Sequence, residues 1–252
     1  MSRRHICLLF NPSSGRGRAT ASADRLAIAF DALGCSTSLI RVGVNQPPLT
    51  AGPLLGADAV VVIGGDGTVH RSLAAVLDAG CALYHFPHGT ENLFARHFGM
   101  MRDAELVARA VTNNGSVPMD IASVMSDECA TGQPPVLAAI MVSVGPDASV
   151  IHRLSAARTG PIRHLTYARP IVAEFFRPSL PALTITVDGR QLVTNRPGMV
   201  VVANAPTYAR YINPAHNALS NDGLLDVMFL PARTSFAAAF WLAACRLRMQ
   251  HT

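Results

Sequence analysis

The run Val60-Val61-Val62-Ile63-Gly64-Gly65-Asp66-Gly67-Thr68 carries the sharpest chemical signal in the chain. A β-branched run ends in glycines, and a helix-forming stretch opens at about Thr68. Glycines let the backbone reverse tightly and come close to a ligand, and the free N–H groups of a helix start favour phosphate oxygens. A carboxylate at such an anion site is repulsive unless a cation lies between. Asp66 therefore points to Mg²⁺ bridging a carboxylate and nucleotide phosphates. A strand-to-helix turn needed only for its backbone geometry accounts for four such residues equally well, so this loop decides nothing alone.

Two further loops change that balance. Asn11-Pro12-Ser13-Ser14-Gly15-Arg16-Gly17 follows the first strand run. It lacks the spacing of a GxxxxGK[ST] phosphate loop, and by itself reads as an ordinary turn. Phe86-Pro87-His88-Gly89-Thr90-Glu91-Asn92 follows the fourth strand run and again precedes a helix. Open α/β sheets bind ligands outside the carboxyl ends of their strands. Three polar, glycine-bearing loops are thus expected on one edge of one sheet.

The elements that must hold these loops alternate. Ile6–Phe10, Ser36–Val42, Ala59–Ile63 and Ala82–Phe86 read as strands. Ala19–Leu33 and Val69–Ala79 read as helices, and Glu91–Val111 as one or two more, with Gly34 placed to stop the first. This is the pattern of a doubly wound α/β domain, taken as residues 1–116. Strand signals then dominate residues 117–252: Val117–Val124, Ala138–Val144, Leu183–Val187, Gln191–Thr194, Met199–Ala203 and Leu225–Leu230. Asp188-Gly189 between alternating residues predicts a type I′ hairpin. Asp127–Pro135 reads as a loop, and Ser235–Met249 as a closing amphipathic helix. The expected architecture is a nucleotide-binding α/β domain followed by a β-rich one.

Composition narrows the class. The chain has 252 residues, 50% of them apolar and 15% charged, which is ample for a core and too little charge for extended disorder. Its formal charge of +5 suits phosphates or an anionic membrane surface without choosing between them. The cysteines, Cys7, Cys35, Cys81, Cys129 and Cys245, show no CxxC spacing and read as reduced core thiols. His85 and His88 have no partners at metal spacing, so zinc is not expected. Arg153, Arg158, Arg163, Arg169 and Arg177 could face anionic lipid, but read more simply as a solvated face. The apolar run behind Arg3 and Arg4 is too short for a signal peptide, and Phe236–Cys245 is too short to span a bilayer. A cytoplasmic protein is expected, with any contact at the inner membrane peripheral.

NPxSG, GGDGT before a helix, and P-x-GT-x-N followed by Phe94-Ala95-Arg96 resemble the catalytic domain of the diacylglycerol and related lipid kinases. That domain is similar to NAD kinases through its GGDG loop. Asn204, Pro214-Ala215 and Asp222-Gly223-Leu224-Leu225-Asp226-Val227 resemble the family's second, β-rich domain. The resemblance implies ATP as donor, Mg²⁺ as cofactor, and a lipid hydroxyl as acceptor at a membrane surface between the domains. No nucleic-acid partner is implied; a homodimer is compatible. It implies nucleotide contacts at Gly64, Gly65, Asp66, Gly67, Thr68, Val69, His70, Gly89, Thr90 and Asn92, with Asn11 and Arg41 beside them. Asp66 would act through Mg²⁺. A structural Mg²⁺ would sit on the Asp222 carboxylate and the carbonyls of Leu219 and Leu224, a stretch that spacing alone reads as a plain turn.

The sequence departs from the family pattern at His70, where Asn is usual, and at Glu91, where a small or apolar residue is common. Family members also close with a β segment carrying Asp-Gly-Glu, whose acid is thought to activate the acceptor. This chain reaches Thr252 without it, so truncation is expected and the general base is left unnamed. Asp188-Gly189-Arg190 shares the dipeptide but reads as a hairpin tip. An NAD kinase-like enzyme and a catalytically degenerate nucleotide- or lipid-binding protein are the alternative readings.

Overall fold

A computed structural model describes residues 3–43, 46–113, 115–127, 134–146, 148–149, 152, 178–208 and 212–247. Cys129 and the arginines expected to form a face, Arg153 to Arg177, lie outside the described residues. The chain divides into two units, Met1–Met119 with Ser123–Leu137, and Asp120–Ala122 with Ala138–Thr252.

The first unit is built on a parallel sheet. Its strands are β1 (His5–Phe10), β2 (Ser36–Arg41), β3 (Ala59–Gly64) and β4 (Ala82–Pro87), in the order β2-β1-β3-β4. β3 is buried along its whole length, which is why it reads as an unbroken apolar run rather than an alternation. Successive side chains leave a strand on opposite faces. Ile6, Leu8, Phe10, Val61 and Ile63 pack with Ala19, Ala23, Leu26 and Phe30 of α1 (Ala19–Asp31) and Val107 and Ala108 of α4 (Ala104–Thr112). The opposite face of β3 meets α2 (Asp66–Ala79), whose Val69, Leu73 and Val76 are buried. The N-terminal domain is thus a doubly wound α/β domain, as its sequence predicts.

Helix boundaries moved for identifiable reasons. α2 opens at Asp66, two residues before the expected Thr68, because Gly65 is already its extended N-cap. It ends at Gly80, whose φ of 65° is the left-handed stop that glycine favours. The expected Glu91–Val111 stretch forms two helices, α3 (Leu93–His97) and α4. Gly99, at φ 62°, ends the first, and the Asp103 carboxylate caps the second by accepting from Leu106 N at 3.0 Å.

The second unit is antiparallel and β-rich. β7 (Met141–Val144), β9 (Arg190–Ala203) and β10 (Asp226–Pro231) form one sheet in the order β10-β9-β7, and β8 (Ala182–Val187) pairs with β9. The β8–β9 turn has Asp188 at φ 49° and Gly189 at φ 77°, the two positive φ values of a type I′ hairpin. Two strands expected on either side of Asn195 are one. β9 pairs with β8 up to Pro197 and then with β7 and β10, bending at Asn195, φ 46°.

Two other strand expectations contract. Val117–Val124 is strand only at β5 (Ala122–Val124), with Pro118 lacking the ladder donor and the Asp120 amide donating to Ser220 O. Ala138–Val144 divides into β6 (Val136–Ala138) and β7. Between them, the carbonyls of Ala139 and Ile140 accept from Asn204 instead of a strand. A last helix, α5 (Ser235–Arg246), is capped by the Thr234 hydroxyl and lays Cys245 and Trp241 on Met199, Val201 and Leu230.

Phe30 joins α1 to the sheet with no accessible surface. Phe30→Ala should lower the unfolding free energy by about 3–5 kcal/mol in urea titration. A loss under about 1 kcal/mol would show that the α1 face does not close this core.

Candidate active site

The strand order makes β1 and β3 neighbours whose following connections leave in opposite directions along the sheet, so the crevice for a ligand opens between their carboxyl ends. The Asn11, Gly64 and His88 loops all leave that edge. Val42 N donates to Phe10 O, so exposed Arg41 ends the neighbouring strand beside them.

The glycine loops touch. A Cβ built on Gly65 would stand 2.9 Å from the Gly89 Cα, and one built on Gly89 would stand 2.6 Å from the Gly65 Cα and 2.8 Å from Asn92 Oδ1. Gly64 is equally crowded: its Cβ would fall 2.5 Å from Thr68 Oγ1. Glycine at these positions answers to close packing, of backbone on backbone at Gly65 and Gly89 and of the Thr68 side chain on Gly64, not to unusual dihedrals. The result leaves the first-turn amides of α2 at Asp66 and Gly67 without intrahelical acceptors. That is the arrangement an anion needs.

Several predicted residues hold the loops themselves. Asn92 stands at φ 50°, takes the Gly89 amide on Oδ1 at 2.7 Å and returns Nδ2 to Gly89 O at 3.0 Å. Both ends of its side chain therefore clamp the loop. Buried Asn11 accepts Ser13 N on Oδ1 at 3.0 Å, and its backbone amide donates to Ile63 O, joining the first two loops. One oxygen of Asp66 accepts Phe94 N at 3.1 Å at the start of α3, which leaves the other for a cation. Thr68 and Val69 are buried; Val69 faces the core, so only its backbone can serve a ligand. His70 is exposed on α2, and Gly67, Gly89 and Thr90 line the open side.

Two histidines underlie the loops. His85 is fully buried and donates from Nε2 to Gly64 O at 2.9 Å, while His88 N donates to the same carbonyl at 2.7 Å. The end of β3 is thus fixed by two donors, one from β4 and one from the residue that follows it. The His88 ring lies beneath the first loop, with Nε2 2.9 Å from Ser22 Oγ and Nδ1 so near Gly15 that any side chain there would overlap it. Among the described residues neither histidine's Nδ1 has a partner. Burial lowers the pKa of His85, and burial followed by Arg102, Arg18, Arg25 and His85 lowers that of His88 to about 4. Sequence reading saw these histidines only as absent zinc ligands. Their signal was position: a histidine inside a buried parallel strand must find an internal partner.

In the second unit Asp222 accepts Leu224 N at 3.0 Å, and Gly223, at φ 76°, completes a turn in which Leu219, Asp222 and Leu224 are exposed. Asp120, which sequence reasoning missed, grips this turn by taking Gly223 N on Oδ2 at 2.7 Å. Buried Asn204 donates to Asp120 O and Ala139 O, both at 2.7 Å. Among the described residues no three His, Cys, Asp or Glu side chains converge as a metal site, so any cation on this turn would rely on backbone carbonyls.

The histidines carry a stability prediction. An unfolded histidine takes its proton near 6.5, whereas His88 takes it in the fold only at about 4. Between those values the unfolded chain binds more protons, so stability is full above about 6.5 and falls as pH drops toward 4, by on the order of 3 kcal/mol. His85 shifts in the same direction. Urea titrations at either end of this window should show a smaller loss in His88→Gln than in wild type; equal losses would place the acid sensitivity elsewhere.

Residues 5–124 match the diacylglycerol kinase catalytic domain, and residues 140–244 match the YegS C-terminal NAD kinase beta sandwich-like domain. The chain is 27% identical over 233 residues to the diacylglycerol kinase of Mycobacterium tuberculosis, covering 89% of this chain and 74% of that protein. The crystal structure of a diacylglycerol kinase from Bacillus anthracis str. Sterne superposes with a TM-score of 0.64 at 20% identity, over 96% of this chain and 79% of that one. Another solved chain from that organism gives a TM-score of 0.70 at 17% identity, over 96% and 78%. With both of its domains matched in order along the chain, this protein belongs to the diacylglycerol-kinase-like family.

Proposed function

We propose that the chain is an ATP-dependent lipid kinase that transfers the γ-phosphoryl group of ATP to the hydroxyl of a lipid. The observation that carries this reading is the backbone contact of Gly65 with Gly89, which admits no side chain where the two loops meet beside the first turn of α2. Phosphoryl transfer asks a protein chiefly to position its reactants and offset charge. The cradle suits a nucleotide, since α2 offers its open amides and Asp66 has an oxygen for Mg²⁺. Bound there, MgATP would supply the phosphoryl group and the charge neutralisation.

The chain's own residues would do the rest. Asp66 and Gly67 would direct amides at the phosphates, with Gly64, Gly65, Thr68 and Gly89 closing the cradle around them; Val69 and His70 would continue the first turn of α2. Asn11 and Asn92 would hold the loops in shape, with Arg41 at the edge. A structural Mg²⁺ would be held by Asp222 and the carbonyls of Leu219 and Leu224, on the turn that Asp120 grips. No residue is assigned as the base. Asp188 is shaped as a turn residue by its positive φ, which gives it no support in that role. No helix among the described residues is long and apolar enough to cross a membrane, so the acceptor lipid would be met at a surface.

Asp66→Ala should abolish Mg²⁺-dependent ATP binding in calorimetric titration while the far-ultraviolet spectrum stays native; unchanged affinity and Mg²⁺ dependence would remove Asp66 from the site. Thr90→Val, similar in shape, should weaken ATP by about 1 kcal/mol, the usual value of one hydrogen bond. A thermal shift with ATP equal to that of wild type would count against Thr90. Radiolabel from γ-labelled ATP should appear in diacylglycerol or a related lipid and not in NAD; label in NAD would move the reading to an NAD kinase.

A further inference from the structure

Outside the glycine loops, one feature of the first unit is left unexplained by nucleotide binding. Burial, and after it Arg102, Arg18 and Arg25, opposes protonation of His88, and burial, then Arg18 and Arg25, lowers the pKa of Arg102, so the three guanidinium groups feel one another's charge. Arg18 reaches Gly15 O through Nε at 3.0 Å, and Arg25 reaches Ser22 Oγ at 3.5 Å, the hydroxyl that also meets His88. None of the three guanidinium groups forms an ion pair with a carboxylate among the described residues. Three like charges gathered without a counter-charge are unfavourable unless an anion joins them.

The surface that continues from them is apolar. Arg18, Ser22, Arg25, Ala29 and Ala32 follow one another at helical spacing along α1. Below Arg25 a groove of about 370 Å³ runs between α1 and α4, lined by Ile28, Ala29, Ala32, Leu33 and Ala104, with Arg25, Glu105 and Arg109 at its sides. Glu105 is its one carboxylate, and Arg109 stands one turn further on the same helix face. Ile28 is 72% exposed and Leu33 45%. A free phosphate or a nucleotide would satisfy the arginines and leave this trough in water. An occupant with an anionic head and an acyl chain satisfies both.

We propose that the α1–α4 groove is a docking site for an anionic phospholipid, its phosphate head at Arg18, Arg25 and Arg102 and its chain over Ile28, Ala32 and Ala104. The groove lies along α1 and α4, beyond the loop that Arg18 touches, and the proposal does not depend on the chain's being a kinase. It would hold this face against an anionic leaflet, and salt would weaken the attachment because the arginines are exposed.

The test is sedimentation of the full chain, without nucleotide, with vesicles of phosphatidylcholine alone or doped with phosphatidic acid. Wild type should partition to the doped vesicles and lose that preference at high salt. Arg25→Gln with Arg102→Gln should weaken partition by about fivefold for each charge removed. Ile28→Gln, at an exposed helical position that carries little folding risk, should weaken it by about tenfold with every charge retained. The thermal shift with MgATP should be that of wild type in all variants. Doped-vesicle binding unchanged in the arginine pair overturns the proposal. So does binding unchanged in Ile28→Gln, since the groove would then be idle. Loss of the MgATP shift in the arginine pair also overturns it, by assigning those arginines to the nucleotide. Absence of any kinase activity leaves the vesicle result standing, so the two readings fail separately.

Discussion

The first domain depends on two loop backbones being allowed to touch. Gly65 and Gly89 leave the ends of adjacent parallel strands, and a Cβ on either would stand under 3 Å from the other's Cα. Real side chains do not tolerate such contacts, and here the obstacle is backbone, which cannot swing aside. The contact fixes where α2 begins, and the start of α2 fixes where its open amides lie. Asn92 holds one side of the contact by clamping Gly89, and the Gly64 carbonyl is held on the other by His85 and His88. The anion cradle is therefore a consequence of strand packing transmitted through glycines.

The histidines show the cost of that arrangement. The Gly64 carbonyl lies where a sheet ladder ends, and a buried carbonyl without a donor is unfavourable by about 1–3 kcal/mol. The His88 amide and the His85 ring both supply donors, and the His85 ring in turn leaves its own Nδ1 bare and buried. His88 does the same beneath the first loop, beside three arginines. Both rings remain neutral near pH 7 because burial opposes the charged form. The domain thus keeps its glycine loops rigid by means of neutral imidazoles, at the expense of stability in acid.

Much of this was legible in the residues. The β-branched run of β3, the Asp-Gly hairpin and the glycine stop at Gly34, φ 76°, each follow from a local rule that nothing later in folding overrides. Less local features were hidden. β9 reads as two strands because Asn195 and Pro197 look like a break; only its change of partner, from β8 to β7 and β10, makes one bent strand of it. Asn204 ends β7's pairing from more than sixty positions away, and a sequence window cannot see such a bond. In the candidate site, residue types were readable but their duties were not. Asn92 and Asn11, expected beside the nucleotide, also shape the loops, and the Val69 side chain faces the core. Asp120, which organises the Asp222 turn, gave no signal beyond being an aspartate two residues after a proline.

The central claim is that the loops after β3 and β4 form one cradle for nucleotide phosphates. Amide hydrogen exchange with and without MgATP measures this most directly. The account predicts slowed exchange at Asp66, Gly67 and Thr68 together with Gly89 and Thr90, and none at the Asp188–Gly189 hairpin tip. Protection confined to one of the two loops, or absent from both while MgATP is bound, would contradict it.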